Sequence, residues 1–336
     1  MTRTKLEEFA LWLVAAALLL FVTDIFAAAR EIRGFTMTVS HLDKAVKFYE
    51  EALGFRKVDE RTVVDRNMDA LTGVFGTRVR MATLKLGDES IMLEQYVAPG
   101  GQPIPADGRS NDLWFQHFAI VVSDMEKAFE HVSRFGVASI SSAPQTIPVS
   151  NKAAAGIKAY KFKSPDGHPL EMLYFPPDKG NPKWQNKGKL FLGIDHSAIA
   201  VADTERSTRF YQDLVGLRVA GGSLNTDMTQ EQLDNAFGAV VRITGLRPEL
   251  PHSPGLEFLQ YLTPAGGRPA PQGLKPNDLV LTRTVVQVSD LDGLAQKLQA
   301  HNVTFISPSV VAVGGQDWSK GLMVKDPDGH AVLLVE

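Results

Sequence analysis

Residues 196–217 read HSAIAVADTERSTRFYQDLVGL, and the order of residue types in that stretch decides the architecture. Apolar residues alternate through His196–Val201 as in a half-buried strand. Asp203 then supplies a helix N-cap, and apolar residues recur at helical spacing until Gly216, where a helix should stop. The same grammar recurs three times: GFTMTVSHLDKAVKFYEEALGF at 34–55, HFAIVVSDMEKAFEHVSRFG at 117–136 and RTVVQVSDLDGLAQKLQAHN at 283–302. In each, a Ser or Asp after the strand is expected to cap the helix, and Ala45, Phe48, Tyr49 and Leu53 trace the first helix's buried stripe. A repeat written four times must be recognised before any single element is assigned.

Strands are expected after every helix. Units one and three continue with VRMATLKLG and SIMLEQY, or VVRITGL and GLEFLQYL, and share an insert, NMDALTGVFG against DMTQEQLDNAFG. Units two and four end in SPDGHPLEMLYF and DPDGHAVLLVE, a glycine turn entering a last strand. Phe75 to Phe237 and Asp166 to Asp328 are both 162 positions apart, so units one and two were duplicated as a block. The expected organisation is a leader at 1–29, a first pair of modules at 34–175 (34–97 and 112–175), a linker at 176–189, and a second pair at 190–336 (190–262 and 279–336).

Composition narrows the chemistry. The chain has 336 residues, 44% hydrophobic and 22% charged, with a net charge of -3 and no cysteine. The charge balance lacks the basic excess of a nucleic-acid binder. Without cysteine there is no disulfide, thiolate metal site or cysteine nucleophile, so a metal must be held by His, carboxylate or amide groups. At the N-terminus, Arg3 and Lys5 precede an apolar run of 12 residues, Leu11–Val22, and then Ala27–Ala29. This reads as a secretory signal, placing the protein in a periplasm or outside the cell, with an uncleaved membrane anchor as the variant.

Parity along the first strands points to a site. Phe118, Ile120 and Val122, like Ile199 and Val201, are large and suit a helix-facing side. The opposite sides carry His117, Ala119 and Val121, or His196, Ala198 and Ala200: small residues with one imidazole at the mouth. In the last strands Glu171 and Glu257 stand among apolar neighbours, where a carboxylate is costly unless paired or bound to a cation. The matching positions in units one and four are Gly34, Met92, Arg283 and Leu333, with Glu94 a weaker, shifted candidate. Arg283 could bind an anion or fill space.

The repeat, the FYxxxLG helix end (Phe48–Gly54, with Phe210–Gly216 alike) and the PDGH turns together resemble the vicinal oxygen chelate superfamily, which includes glyoxalases, bleomycin-resistance proteins and extradiol dioxygenases. The resemblance covers about 34–336. It implies an α+β fold of four βαβββ modules pairing into two cup-shaped mixed sheets. Members carry one ligand at the start of the first strand and one on the last strand of each module. Carried over residue by residue, His117, Glu171, His196 and Glu257 fit, while Gly34, Met92, Arg283 and Leu333 do not. Adjacent modules could pair, leaving half a site in each cup. Pairing two with three and one with four instead gives one complete cup and one without metal, and this second arrangement is the expected one. The implied cofactor is a divalent metal (Ni, Zn, Co, Mn or Fe). The implied activity is that of a glyoxalase-like lyase or isomerase acting on a small molecule with vicinal oxygens, with Glu171 or Glu257 as general base and His117 and His196 as neutral ligands. An extradiol-type dioxygenase and a non-enzymatic small-molecule-binding protein are the alternatives. The partner expected is a small-molecule substrate, with the membrane touched only through the N-terminus and the chain a monomer or homodimer. Asp195, next to His196 in a strand, is expected to point away from it.

Overall fold

The computed structural model describes residues 29–186, 188–314 and 317–336. The expected leader lies outside the described residues except for Ala29, which already belongs to a strand. Module one comprises β1 (Ala29–Thr38), α1 (Leu42–Leu53), β2 (Arg56–Val63), α2 (Arg66–Thr72), β3 (Arg78–Leu86) and β4 (Glu89–Ala98). Module two has β5 (Gln116–Val122), α3 (Met125–Ser133), the short β6 (Ala138–Ser139) and β7 (Gln145–Thr146), β8 (Lys158–Lys163) and β9 (Pro169–Tyr174). Module three repeats the first as β10 (Phe191–Ala200), α4 (Thr204–Thr208, continuing as a π-helical turn over Arg209–Leu214), β11 (Arg218–Asn225), α5 (Asp227–Asp234), β12 (Val240–Arg247) and β13 (Gly255–Thr263). Module four repeats the second as β14 (Thr282–Val288), α6 (Leu291–Ala300), β15 (Thr304–Phe305), β16 (Val311–Ala312), β17 (Lys320–Lys325) and β18 (Ala331–Val335).

Local chemistry sets the helix ends. Asp124, Asp203 and Asp290 cap α3, α4 and α6 by accepting a backbone N–H three residues on. The first module departs from the expected cap. His41 holds the N-cap of α1 without a side-chain bond, because an imidazole stands where the other modules place the capping Asp124, Asp203 and Asp290; the preceding Ser40 instead donates its hydroxyl and backbone N–H to Asp166. Gly54 ends α1 at φ 71°, where its N–H reaches back to Glu50 O.

In every module the last strand lies parallel beside the first: β4 on β1, β9 on β5, β13 on β10 and β18 on β14. First strands then pair antiparallel across modules, β5 with β10 and β1 with β14. Two nine-stranded sheets result, each with eight strands in one row and a short ninth beside it, β7 on β8 and β16 on β17. One runs β11-β12-β13-β10-β5-β9-β8-β6 and joins modules two and three; the other runs β15-β17-β18-β14-β1-β4-β3-β2 and joins modules one and four. This is the crosswise pairing expected from the ligand pattern.

The parity reading holds. Phe118, Ile120, Val122, Ile199 and Val201 join Phe35 and the helices in one core shared by both sheets, where Phe35 stacks on Phe118 at 6.0 Å. The opposite faces form the two cups. The connections between modules clasp each other: Arg268 donates two hydrogen bonds to Asp112 (2.8 and 2.7 Å), and Asp278 accepts from the backbone N–H of Gln102 (2.7 Å). Linker 176–189 is anchored too, since the buried Trp184 donates its indole N–H to Asp195 at 3.0 Å.

Candidate metal centre

The β5–β10 pair places Ala198 opposite His117 and His196 opposite Ala119, so both imidazoles stand diagonally on one face, with ring centres 6.1 Å apart. Beside them, β9 sets Glu171 next to Ala119 and β13 sets Glu257 next to Ala198. The two small alanines leave room for what the four polar groups enclose. His117 Nε2 lies 3.2 Å from Glu171 Oε2, and His196 Nε2 lies 3.9 Å from the same oxygen and 3.4 Å from Glu257 Oε2. One ligand atom from each of His117, Glu171 and His196 falls within 4.8 Å of the others. At metal–ligand bonds of about 2.0–2.2 Å, neighbouring ligand atoms sit roughly 3–4 Å apart, so the spacing suits a cation.

The electrostatics agree with that donor set. Burial raises the Glu171 carboxyl, but the charges of His117 and Lys161 outweigh it and hold the group down at about 2. Burial pushes Glu257 up. It also drives His117 down, whereas in His196 the carboxylates of Glu257 and Asp195 overcome burial and raise the imidazole to about 9. Two imidazoles and two carboxylates face one space, and a divalent cation there would take over from the His196 proton as counter-charge to Glu171 and Glu257.

One expectation needs correction. Asp195 does not point away from His196; its Oδ2 accepts from His196 Nδ1 at 3.0 Å. The reason is a β-bulge: pairing with β5 slips between Ile194 and His196, so alternation fails at Asp195. His196 is thereby oriented with Nε2 toward the cup, the carboxylate–imidazole arrangement that steadies a metal ligand. His117, by contrast, gains no such support, because its buried Nδ1 has no hydrogen-bond partner among the described residues.

Lys161 is a residue that sequence reading missed. It is 2% exposed, lies opposite Glu171 on β8, donates to Asp234 at 2.6 Å and stands 4.0 Å from Glu171 Oε1. Its signal was present in KAYKFK: with Tyr160 and Phe162 in the helix-side core, alternation puts Lys161 on the cup face. Asp234 also accepts from Tyr261 and Gln230. Arg247 lies at the same cavity and holds Asp195 at 3.2 Å. The cavity measures about 290 Å³, with Ile157, Leu173, Leu233 and Leu259 among its apolar walls. His168 and His330 each close their turn by accepting a backbone N–H, from Ser164 and Asp326, and each also bonds through Nε2 to a distant backbone carbonyl: Leu279 O, in the connection before β14, and Ala200 O, on β10.

In the cup of modules one and four, Gly34, Arg283, Leu333 and Met92 occupy the positions of His196, His117, Glu171 and Glu257. Among the described residues no ligand set forms there, and Glu94 pairs with Arg283 at 2.5 Å.

A model of the Glyoxalase/Bleomycin resistance protein/Dioxygenase superfamily matches residues 31–172 and again 193–334. The chain belongs to this superfamily. Among solved structures that resemble this member, glyoxalase I from Zea mays superposes with a TM-score of 0.61 at 18% identity, covering 91% of this chain and 92% of its own. A putative dioxygenase from Bacillus subtilis subsp. subtilis str. 168 gives 0.56 at 13% identity, over 92% of this chain and 86% of its own. These likenesses establish the fold alone. No protein of curated function is a significant match.

Proposed function

We propose that the cup of modules two and three binds a divalent metal through His117, Glu171, His196 and Glu257 and catalyses a glyoxalase-like lyase or isomerase reaction on a small molecule with vicinal oxygens. The observation carrying this reading is the convergence of His117, Glu171 and His196 within 4.8 Å, with Glu257 3.4 Å from His196, in a cavity of about 290 Å³. A divalent ion held there supplies Lewis acidity to a carbonyl oxygen, lowering the cost of removing the adjacent proton. Glu257 is the better placed of the two carboxylates to carry that proton. Its side chain is 28% exposed toward the cavity, whereas Glu171, at 7%, is engaged by His117 and Lys161. Ser223, Asn225 and Arg247 offer polar contacts along the wall. His117→Ala and His196→Ala should each lose metal from purified protein while keeping the wild-type circular dichroism. Metal retained at wild-type stoichiometry in both variants overturns the reading.

A second reading has its own observation. The tightest group is two imidazoles and one carboxylate, the face that non-haem Fe(II) oxygenases use. Oxygen uptake by iron-loaded protein with a catechol would favour this dioxygenase reading over the lyase. On location, we propose export from the basic start and the apolar run at 11–22, which makes a substrate other than a glutathione adduct the better expectation. Cell fractionation that leaves the protein in the cytoplasm refutes it.

A further inference from the structure

The cup of modules one and four has lost the donor set yet kept its room. Its cavity measures about 300 Å³, against about 290 Å³ in the other cup. Protein interiors otherwise close to dense packing, so a void of this size on a strand face free of catalytic groups has an occupant to fit. A metal is not that occupant. A Cβ at Gly34, which sits at φ 143°, would lie 2.2 Å from Ser90 O, so no imidazole can stand there.

What lines the cavity describes its ligand. Met68, Thr72, Met92 and Met323 replace Gln230, Asp234, Glu257 and Lys161 of the other cup, and Met81 adds a fourth methionine. Thioether side chains give an apolar wall that adapts to a ligand's outline. Three cations touch the cavity, and each has an acidic partner: Arg283 with Glu94, Arg33 with Asp317 and Arg61 with Asp59. No uncompensated charge is left for an ion. One polar demand remains: Arg283 is 1% exposed, and among the described residues its Nε–H makes no well-formed hydrogen bond, with the Tyr96 hydroxyl nearby but equally without one. A buried donor left unpaired is costly, and a ligand oxygen beside it removes that cost.

We propose that this second cup is a metal-independent binding site for an uncharged, largely apolar small molecule carrying one carbonyl or hydroxyl oxygen, which accepts from Arg283 at the floor. The proposal is independent of the chemistry in the other cup.

The test is a titration of full-length protein labelled with ¹³C at methionine methyls, using acetophenone as probe, with ethylbenzene (no acceptor) and benzoate (an anion) beside it. Acetophenone should give saturable shifts of the Met68, Met81, Met92 and Met323 methyls and leave Met125 and Met172, in the core between the sheets, unmoved. The two comparison compounds should bind at least tenfold more weakly. Met92→Trp, or Leu333→Phe should the first variant fail to fold, should abolish the shifts by filling the cup, and a chelator should not affect them. Absence of saturable shifts, equal binding of ethylbenzene or benzoate, or shifts that persist in a folded filled variant each overturns the proposal.

Discussion

Single residues decide what each cup can do. Asp195 is 6% exposed and holds His196 by its Nδ1–H, while Trp184 and Arg247 hold Asp195 in turn. Asp195→Asn should therefore leave the fold intact but weaken metal affinity about 10–100-fold, read by competition with a chelating dye; unchanged affinity would show that the bulge orients nothing. Lys161 offers a sharper case. Removing it alone strands the buried Asp234 carboxylate, and Lys161→Met should cost about 3–5 kcal/mol in chemical denaturation. The other cup has already made the exchange, with Met323 and Thr72 at these positions. The double variant Lys161→Met, Asp234→Thr should accordingly be more stable than the single one. Tyr96, the counterpart of Tyr261, records the residual cost: with Thr72 in place of the acid, its buried hydroxyl makes no well-formed hydrogen bond among the described residues, although Thr72 and Arg283 lie near it.

At the scale of elements, the two inter-module connections form a matched clasp. Leu113 N–H donates to Arg268 O at 2.8 Å, and Leu279 N–H donates to Gln102 O at 2.9 Å. Asp112 anchors one half. Burial pushes its carboxyl up, but hydrogen bonds from the Arg268 side chain and the Arg109 N–H outweigh burial and hold it below the usual carboxylate range. A group depressed on folding stabilises the protein above its unfolded value, and the contribution fades as pH falls through its folded one. Asp112→Asn should thus cost about 1–3 kcal/mol at neutral pH and less in acid, so that the two denaturation midpoints converge as pH is lowered. Parallel curves over the whole range would assign the effect to packing instead.

At the scale of the molecule, pairing runs across the duplication. His117 and Glu171 come from the first sequence block and His196 and Glu257 from the second, joined through β5 and β10. Residues 1–180 and 181–336 produced separately should each fail to hold metal at wild-type stoichiometry, and co-expression should restore it if the strands pair. Full binding by either half would mean that a cup closes within one block. The same crossing gives one chain two cups with different floors on opposite sides of one core.

The four-module repeat, the caps of three of its helices and most strand parities were legible along the chain, because periodicity, capping residues and turn glycines are local signals, and the same parities singled out the four candidate ligands. Crosswise pairing was inferred from which modules lacked ligands, and the sheet order bears it out. Three features needed tertiary structure. The bulge at Asp195 reverses a parity that the sequence alone cannot revoke. Lys161 acquires its meaning only from Asp234, at the end of a helix in another module. The Arg283–Glu94 pair forms because β14 and β4 flank β1. Sequence fixes which way a side chain leaves its own strand; only the neighbouring strand, brought from a distant part of the chain, determines what it meets.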